Sequence, residues 1–500
     1  MSQRTHRTAA AFVAGLLVAG GGTAAAVSAS AASPACETRT NNSISNLLEC
    51  VTLDGVREHQ AAFQAIADAN GGTRASGTPG YDASADYVVD RLEAAGWNVT
   101  TQEFQYQAFI NLAPAVVEQV APNPGPIAAT TMEYSGSGDV TAAVTALTAA
   151  PADTTPGCEA ADFAGFTAGN IALIERGACA FAIKATNAYN AGAAGVIIYN
   201  NIAGALSGTL GNTFTLEIPV VQTSQAVGQA LAATPGLVVH IKTSTFRGTA
   251  TTSNVLAELP GKNADNVVMA GAHLDSVDEG PGINDNGSGS AALIEIAENL
   301  GKVKPQNTVR FAWWGAEEAS LVGSTYYVNN LSDAEKDRIA LYLNFDMIGS
   351  PNHVFFIYDG DDSDGVGAGP GPEGSAQIEQ TFEAFFQSRD IPFKGTDFSG
   401  RSDYGPFIAA GIPSGGLFTG AEGIKTAEEA AIWGGTAGMA YDPCYHQACD
   451  TYANNNDFAL EQNSDAVAYA VLNYAMSTSL INGEKAKGNF RAPASEQPAM

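Results

Sequence analysis

The sequence predicts an α/β protein: a mixed, mostly parallel central sheet with helices on both faces, interrupted by a β-rich insert. Helical and strand-like runs alternate at the start of the chain and again from Thr251 onward. Between Phe109 and Phe246, Pro, Thr, Ala and Gly dominate and the apolar runs become short. Strands that alternate with helices imply crossovers packed on a sheet, which favours parallel pairing with both faces covered.

Each element has its own signal. Residues 54–69 carry helical spacing and end in the loop GGTRASGTPG. Tyr81, Ala85, Val88, Leu92 and Ala95 recur every three or four residues, and Gly96 suits the C-cap. Residues 99–104 follow as a strand. In the middle stretch, 171–174 and 196–199 are strands, and Phe181, Lys184, Ala185, Ala188 and Gly192 mark a helix between them. Beyond it, 255–259, 267–270, 309–314 and 339–345 are strands. Leu293, Ile296, Ala297 and Leu300 form one helical face, and 378–386 is a further helix. From Gly483 to residue 500 the chain is polar and Pro-containing, the composition of a disordered tail.

The chain of 500 residues has room for two or three domains. A formal net charge of -29 argues against a nucleic-acid partner, because phosphate contacts need clustered Lys and Arg. Arg4, His6 and Arg7 precede an apolar stretch over residues 9–20 and small residues up to Ala32. This is the pattern of a secretory signal peptide over 1–32, too short to span a bilayer. No later stretch is apolar enough to span one, so no membrane association is expected after cleavage. The six cysteines fall into three local pairs, Cys36 with Cys50, Cys158 with Cys179, and Cys444 with Cys449. Even count and export together predict three disulfides, and no Cys-x-x-Cys spacing suggests a zinc cluster.

The chemistry lies in rare side chains at strand ends and turns. The run VVMAGAHLDSVDEGPGINDNGSGS delivers His273 at the end of a strand, with Asp275 two residues on to hold its second nitrogen. Asp285 sits in a Gly-rich turn ahead of a helix. In FAWWGAEEASLVGS, Glu317 and Glu318 follow a strand and point in different directions, so one can bind metal and the other act as general base. Asp346 follows the buried run IALYLNF, where an ionised acid is costly unless paired or metal-bound. DPCYHQACDTY places Tyr445 and His446 in a loop that a disulfide would clamp. Zinc takes imidazole nitrogen and carboxylate oxygen. With Asp285 bridging, each of two metals receives one His and one further carboxylate.

Two resemblances follow. The stretch IALIERGACAFAIKATNAYNAGAAGVIIYN, with Arg176, Gly177 and Cys179, resembles the protease-associated domain. It implies an inserted domain over 109–247, serving as structure or as a lid. The segment from Thr251 to about Leu480, with the opening helices, resembles the secreted two-zinc aminopeptidases, closest to the leucine-type enzymes of streptomycetes. It implies a discontinuous catalytic domain over 33–108 and 248–482 and two zinc ions. His273 and Asp346 would hold one zinc, Glu318 and His446 the other, with Asp285 between them. Glu317 would be the general base, Asp275 the orienter of His273, and Tyr445 the donor to the oxyanion. The stretch GRSDYGPFIAAGIPSGGLFTG resembles the substrate-binding segment. It implies Arg401 near the substrate's amino end and Phe418 in the side-chain pocket. A cis peptide at Asp285–Asn286 is also implied. Some relatives bind calcium through acids near the ends of this domain, and no pattern here matches them.

The expected protein is therefore a secreted, monomeric aminopeptidase acting on peptides with large apolar N-terminal residues such as leucine. A carboxypeptidase or a glutaminyl cyclase on the same fold is the second enzyme reading. A catalytically inactive secreted binding protein is the non-enzymatic one.

Overall fold

A computed structural model describes residues 34–147, 155–204, 206 and 208–483. The signal-peptide stretch 1–32 and the tail beyond Gly483 lie outside the described residues. The expected α/β fold is present. At its centre the strands Ile339–Phe345, Asn263–His273 and Asn307–Trp314 run parallel, with Ser414–Phe418 parallel to the first of them on its outer side.

Both faces of this sheet are covered, and strand alternation assigns them. Val268, Ala270, Ala272, Phe311, Trp313, Leu341, Leu343 and Phe345 face one core, shared with helices Leu53–Ala69, Pro79–Ala94, Gly287–Leu300 and Asp457–Met476. Met269, Ala312, Trp314 and Tyr342 face a second core, closed by Val322–Asn330 and Tyr404–Ala409. Helix Leu53–Ala69 starts at Thr52, whose hydroxyl accepts the Gly55 N–H, and buries Val56, Phe63 and Ala67 on one stripe. A fully buried side chain such as Phe63 contributes roughly 1.5–3 kcal/mol.

The strands at the edge of the insert differ from the sequence expectation. Instead of short runs at 99–104 and 255–259, Asn98–Ala121 and Val238–Leu259 form an antiparallel ribbon of 24 and 22 residues. Their outer halves expose many residues and lack a continuous apolar period. Backbone pairing with a distant partner, which local patterning does not report, makes them strands. The expected limits of the insert fall inside this ribbon, where Ala108 stands opposite Gly248. The sheet continues through Gly138–Leu147 into the parallel strands Ile171–Glu175, Gly195–Tyr199 and Val220–Thr223, which enclose two cores of their own.

Cys36–Cys50, Cys158–Cys179 and Cys444–Cys449 are bonded as expected. Among the described residues, no helix is long and apolar enough to cross a membrane.

Candidate metal centre and cleft

The three central parallel strands end together, with Trp314 in register with His273. Their C-terminal ends are where an open α/β sheet offers its crevice. His273 ends one strand, Glu317 and Glu318 follow the second, and Asp346 follows the third. Asp285 enters from the turn before helix Gly287–Leu300, and the Asp285–Asn286 peptide is cis. Asn286 caps that helix through its side-chain oxygen, which also accepts the Met347 N–H at 3.2 Å, while its amide donates to the Phe345 carbonyl at 2.8 Å. One side chain thus ties the Asp285 turn to both backbone neighbours of Asp346. Ala316, Met347 and His446 adopt positive φ values of 54°, 51° and 55°, so non-glycine backbone strain gathers beside the site residues.

The structure brings these side chains into two linked groups. His273 Nε2 lies 3.3 Å from Asp285 Oδ1 and 3.2 Å from Asp346 Oδ1. His446 Nε2 lies 3.3 Å from Asp285 Oδ2 and 3.0 Å from Glu318 Oε2. The two oxygens of Asp285 therefore face different imidazoles. For a tetrahedral ion with bonds near 2.0 Å, neighbouring ligand atoms stand about 3.3 Å apart. The observed separations match that edge length, so the donors present fit two zinc ions.

The charge balance agrees. Burial lowers the His273 imidazole, but Asp346, Glu317, Asp275 and Asp285 together hold it well above its ordinary value. Burial likewise lowers His446, and Glu318 and Asp285 outweigh it. Burial pushes Glu318 up to about 7 against the pull of His446, and lifts Glu317 well above the carboxylate range despite His273. So many buried acids converging on one space demand positive charge there.

The supporting residues have defined contacts. His273 Nδ1 stands 3.0 Å from the Asp275 carbonyl oxygen and 3.7 Å from the Asp275 carboxylate. That carboxylate also accepts the Glu317 N–H at 3.2 Å and the Glu318 N–H at 3.4 Å, so Asp275 touches two strand ends at once. Tyr445 stacks on His446 at 3.8 Å, and burial raises its phenol, which stays protonated. Arg401 donates to the Tyr445 hydroxyl at 3.1 Å and pairs with Glu422 at 2.7 Å. Phe418 lines the cleft and stacks against Phe356. The cleft has a volume of about 310 Å³, with Met347, Phe356, Tyr358, Phe418 and Tyr441 among its walls.

Several contributing residues escaped the sequence reading. Ser402 donates to Asp346 Oδ2 at 2.6 Å and accepts from Asn344 at 2.8 Å. Asp403 is buried nearby, and burial pushes its carboxyl up to about 7 against the pull of His273. Both lie in the GRSDYG stretch, whose proximity to Arg401 was their only local signal. A separate acidic group, Asp359, Asp361 and Glu379, lies outside the cleft lining, and Asp359 and Glu379 accept the N–H groups of Gly360, Ser363 and Asp364.

Residues 254–471 match the model of peptidase family M28, and residues 140–231 match the PA domain. The chain is 49% identical over 459 residues to an aminopeptidase of Pseudomonas aeruginosa, covering 89% of this chain and 85% of that protein. It is 43% identical to a probable leucine aminopeptidase 2 of Arthroderma benhamiae, covering 85% of this chain and 84% of that protein. Among solved structures, the aminopeptidase from Aneurinibacillus sp. strain AM-1 superposes with a TM-score of 0.63 at 25% identity, covering 90% and 98% of the two chains. A zinc aminopeptidase from Bacillus subtilis gives the same score and identity, covering 84% and 94%.

Proposed function

The chain belongs to peptidase family M28 and is an aminopeptidase, and from that premise we propose a secreted enzyme with two zinc ions that releases large apolar N-terminal residues. The observation that carries the metal count is Asp285, whose two carboxylate oxygens each lie 3.3 Å from a different histidine. Asp346 completes one ligand set and Glu318 the other. Secretion is supported by the signal-peptide pattern over 1–32 and by three disulfides. The insert is taken as 109–247 and the catalytic domain as 33–108 with 248–482.

When bound, zinc supplies Lewis acidity toward the scissile carbonyl and toward water. Glu317 takes the proton of the attacking water and delivers it to the departing amine nitrogen. The Tyr445 phenol donates to the carbonyl oxygen as charge builds there, and Arg401 holds that hydroxyl in place. Glu317 and Asp346 receive the free α-amino group. Phe418, Phe356 and Met347 form the apolar wall for the first side chain.

The test compares leucine amide with N-acetyl-leucine amide, with and without a chelator, alongside zinc content after dialysis. Two equivalents of zinc and hydrolysis of the free amine alone are expected. Equal cleavage of the acetylated compound, or no zinc, would sink the reading.

A further inference from the structure

The loop between His273 and Asp285 carries two of the proposed ligands, yet it has no regular structure of its own. It is held from outside by two buried side chains, Arg74 and Asp450. Arg74, in the loop before helix Pro79–Ala94, is 0% exposed. Its guanidinium donates to the carbonyls of Pro281 at 2.8 Å, Gly282 at 2.7 Å and Leu274. Its own N–H goes to the Ser276 hydroxyl at 2.9 Å. One rigid fork therefore closes the loop across its full span. At the C-terminal end of the loop, Asp450 accepts the Asn284 and Asp285 N–H groups, both at 2.9 Å. Asp450 directly follows the Cys444–Cys449 disulfide in the loop that carries Tyr445 and His446. Asp442 on the same loop accepts from the Asn284 side chain at 2.7 Å.

We propose that Arg74 and Asp450 are paired positioning residues: their clamp on residues 274–286 sets the distance between the two metal half-sites through Asp285. Arg74 fixes the loop relative to His273, and Asp450 fixes Asp285 relative to His446. Neither lines the cleft. The isolated loop would leave Asp285 free to serve one imidazole and abandon the other.

This inference rests on the two-zinc reading, and the experiment separates the two. Zinc affinity at each half-site is measured by chelator competition for wild type, Asp450→Asn and Arg74→Lys, with melting of the zinc-free proteins as a control. Asp450→Asn keeps the shape but sets an amide N–H against a backbone N–H. We expect it to lower the affinity of the weaker site by about 10–100-fold, with the zinc-free melting temperature nearly unchanged. Arg74→Lys, which keeps the charge but loses the fork, lowers it as well. Wild type that binds no zinc overturns the metal reading and the clamp together. Wild type that binds two, with folded variants of equal affinity, overturns the clamp alone. Variants that both fail to fold in zinc-free form also overturn it, since the residues then serve folding rather than spacing.

Discussion

Two regions of this molecule build parallel strands with crossover helices, and only one of them makes a reactive centre. In the insert, Ile171–Glu175 and Gly195–Tyr199 run parallel around helix Phe181–Asn190. Their ends carry Glu175, Tyr199, Arg176 and Asn200, which pair among themselves as Tyr199 with Glu175 at 3.3 Å and Arg176 with Asn200 at 3.3 Å. In the catalytic region the corresponding ends carry His273, Glu317, Glu318 and Asp346, with Asp285 from the next turn. There, acids outnumber cations and converge on a shared space. The strand end supplies the location in both regions, but only an uncompensated surplus of buried acid creates a demand for metal.

The contrast can be broken most severely at Glu317. Glu317→Ala removes the proposed base without touching a ligand, so kcat should fall by about 10³–10⁴-fold while zinc content stays at wild type. Equal turnover would remove the distinction between Glu317 and Glu318. Tyr445→Phe deletes one donor and should lower kcat by about 10²–10³-fold with little change in KM; a change in KM alone would make Tyr445 a binding residue. The insert should respond in stability rather than chemistry. Replacing Cys158 and Cys179 by Ser opens a loop of 21 residues and should cost about 3 kcal/mol, read by denaturant unfolding, with kcat on leucine amide within twofold of wild type. A large fall in kcat would tie the insert to catalysis.

The smallest effect asks whether a buried acid alone suffices. Glu295 is buried between helices, where burial pushes its carboxyl up to about 7. It accepts the Thr52 N–H at 3.1 Å and does not line the cleft. A raised carboxyl contributes stability below its unfolded value near 4.5 and loses it as pH rises through about 7. Glu295→Gln should therefore be more stable than wild type at pH 8, by about 2 kcal/mol or less, and equal to it at pH 4, with kcat unchanged. Stability curves measured at both pH values check the sign.

Much of the candidate site was legible because its residue types conflict with their local setting. His273 and Asp346 end buried strands, and Glu317 and Glu318 follow one, where apolar side chains would be expected. Arg74, Asp450, Ser402 and Glu422 were not legible. Arg74 meets carbonyls more than 200 positions away, and in its own segment it is one polar residue in a Gly-rich loop. The long ribbon was missed for the same reason: its outer residues alternate too weakly to announce a strand, and the pairing of Ala108 with Gly248 spans the whole insert.

The sequence by itself determined the α/β class, the three cysteine pairs and the placing of ligand-type residues at strand ends and turns, because these depend on local periodicity and side-chain chemistry. The tertiary structure alone decided which imidazole faces which carboxylate, how Asp275 divides its contacts, and what holds the loop between His273 and Asp285. Those choices depend on strand register and on hydrogen bonds between residues far apart in the chain. Ångström-scale distances between such residues follow from packing, not from the properties of any one segment.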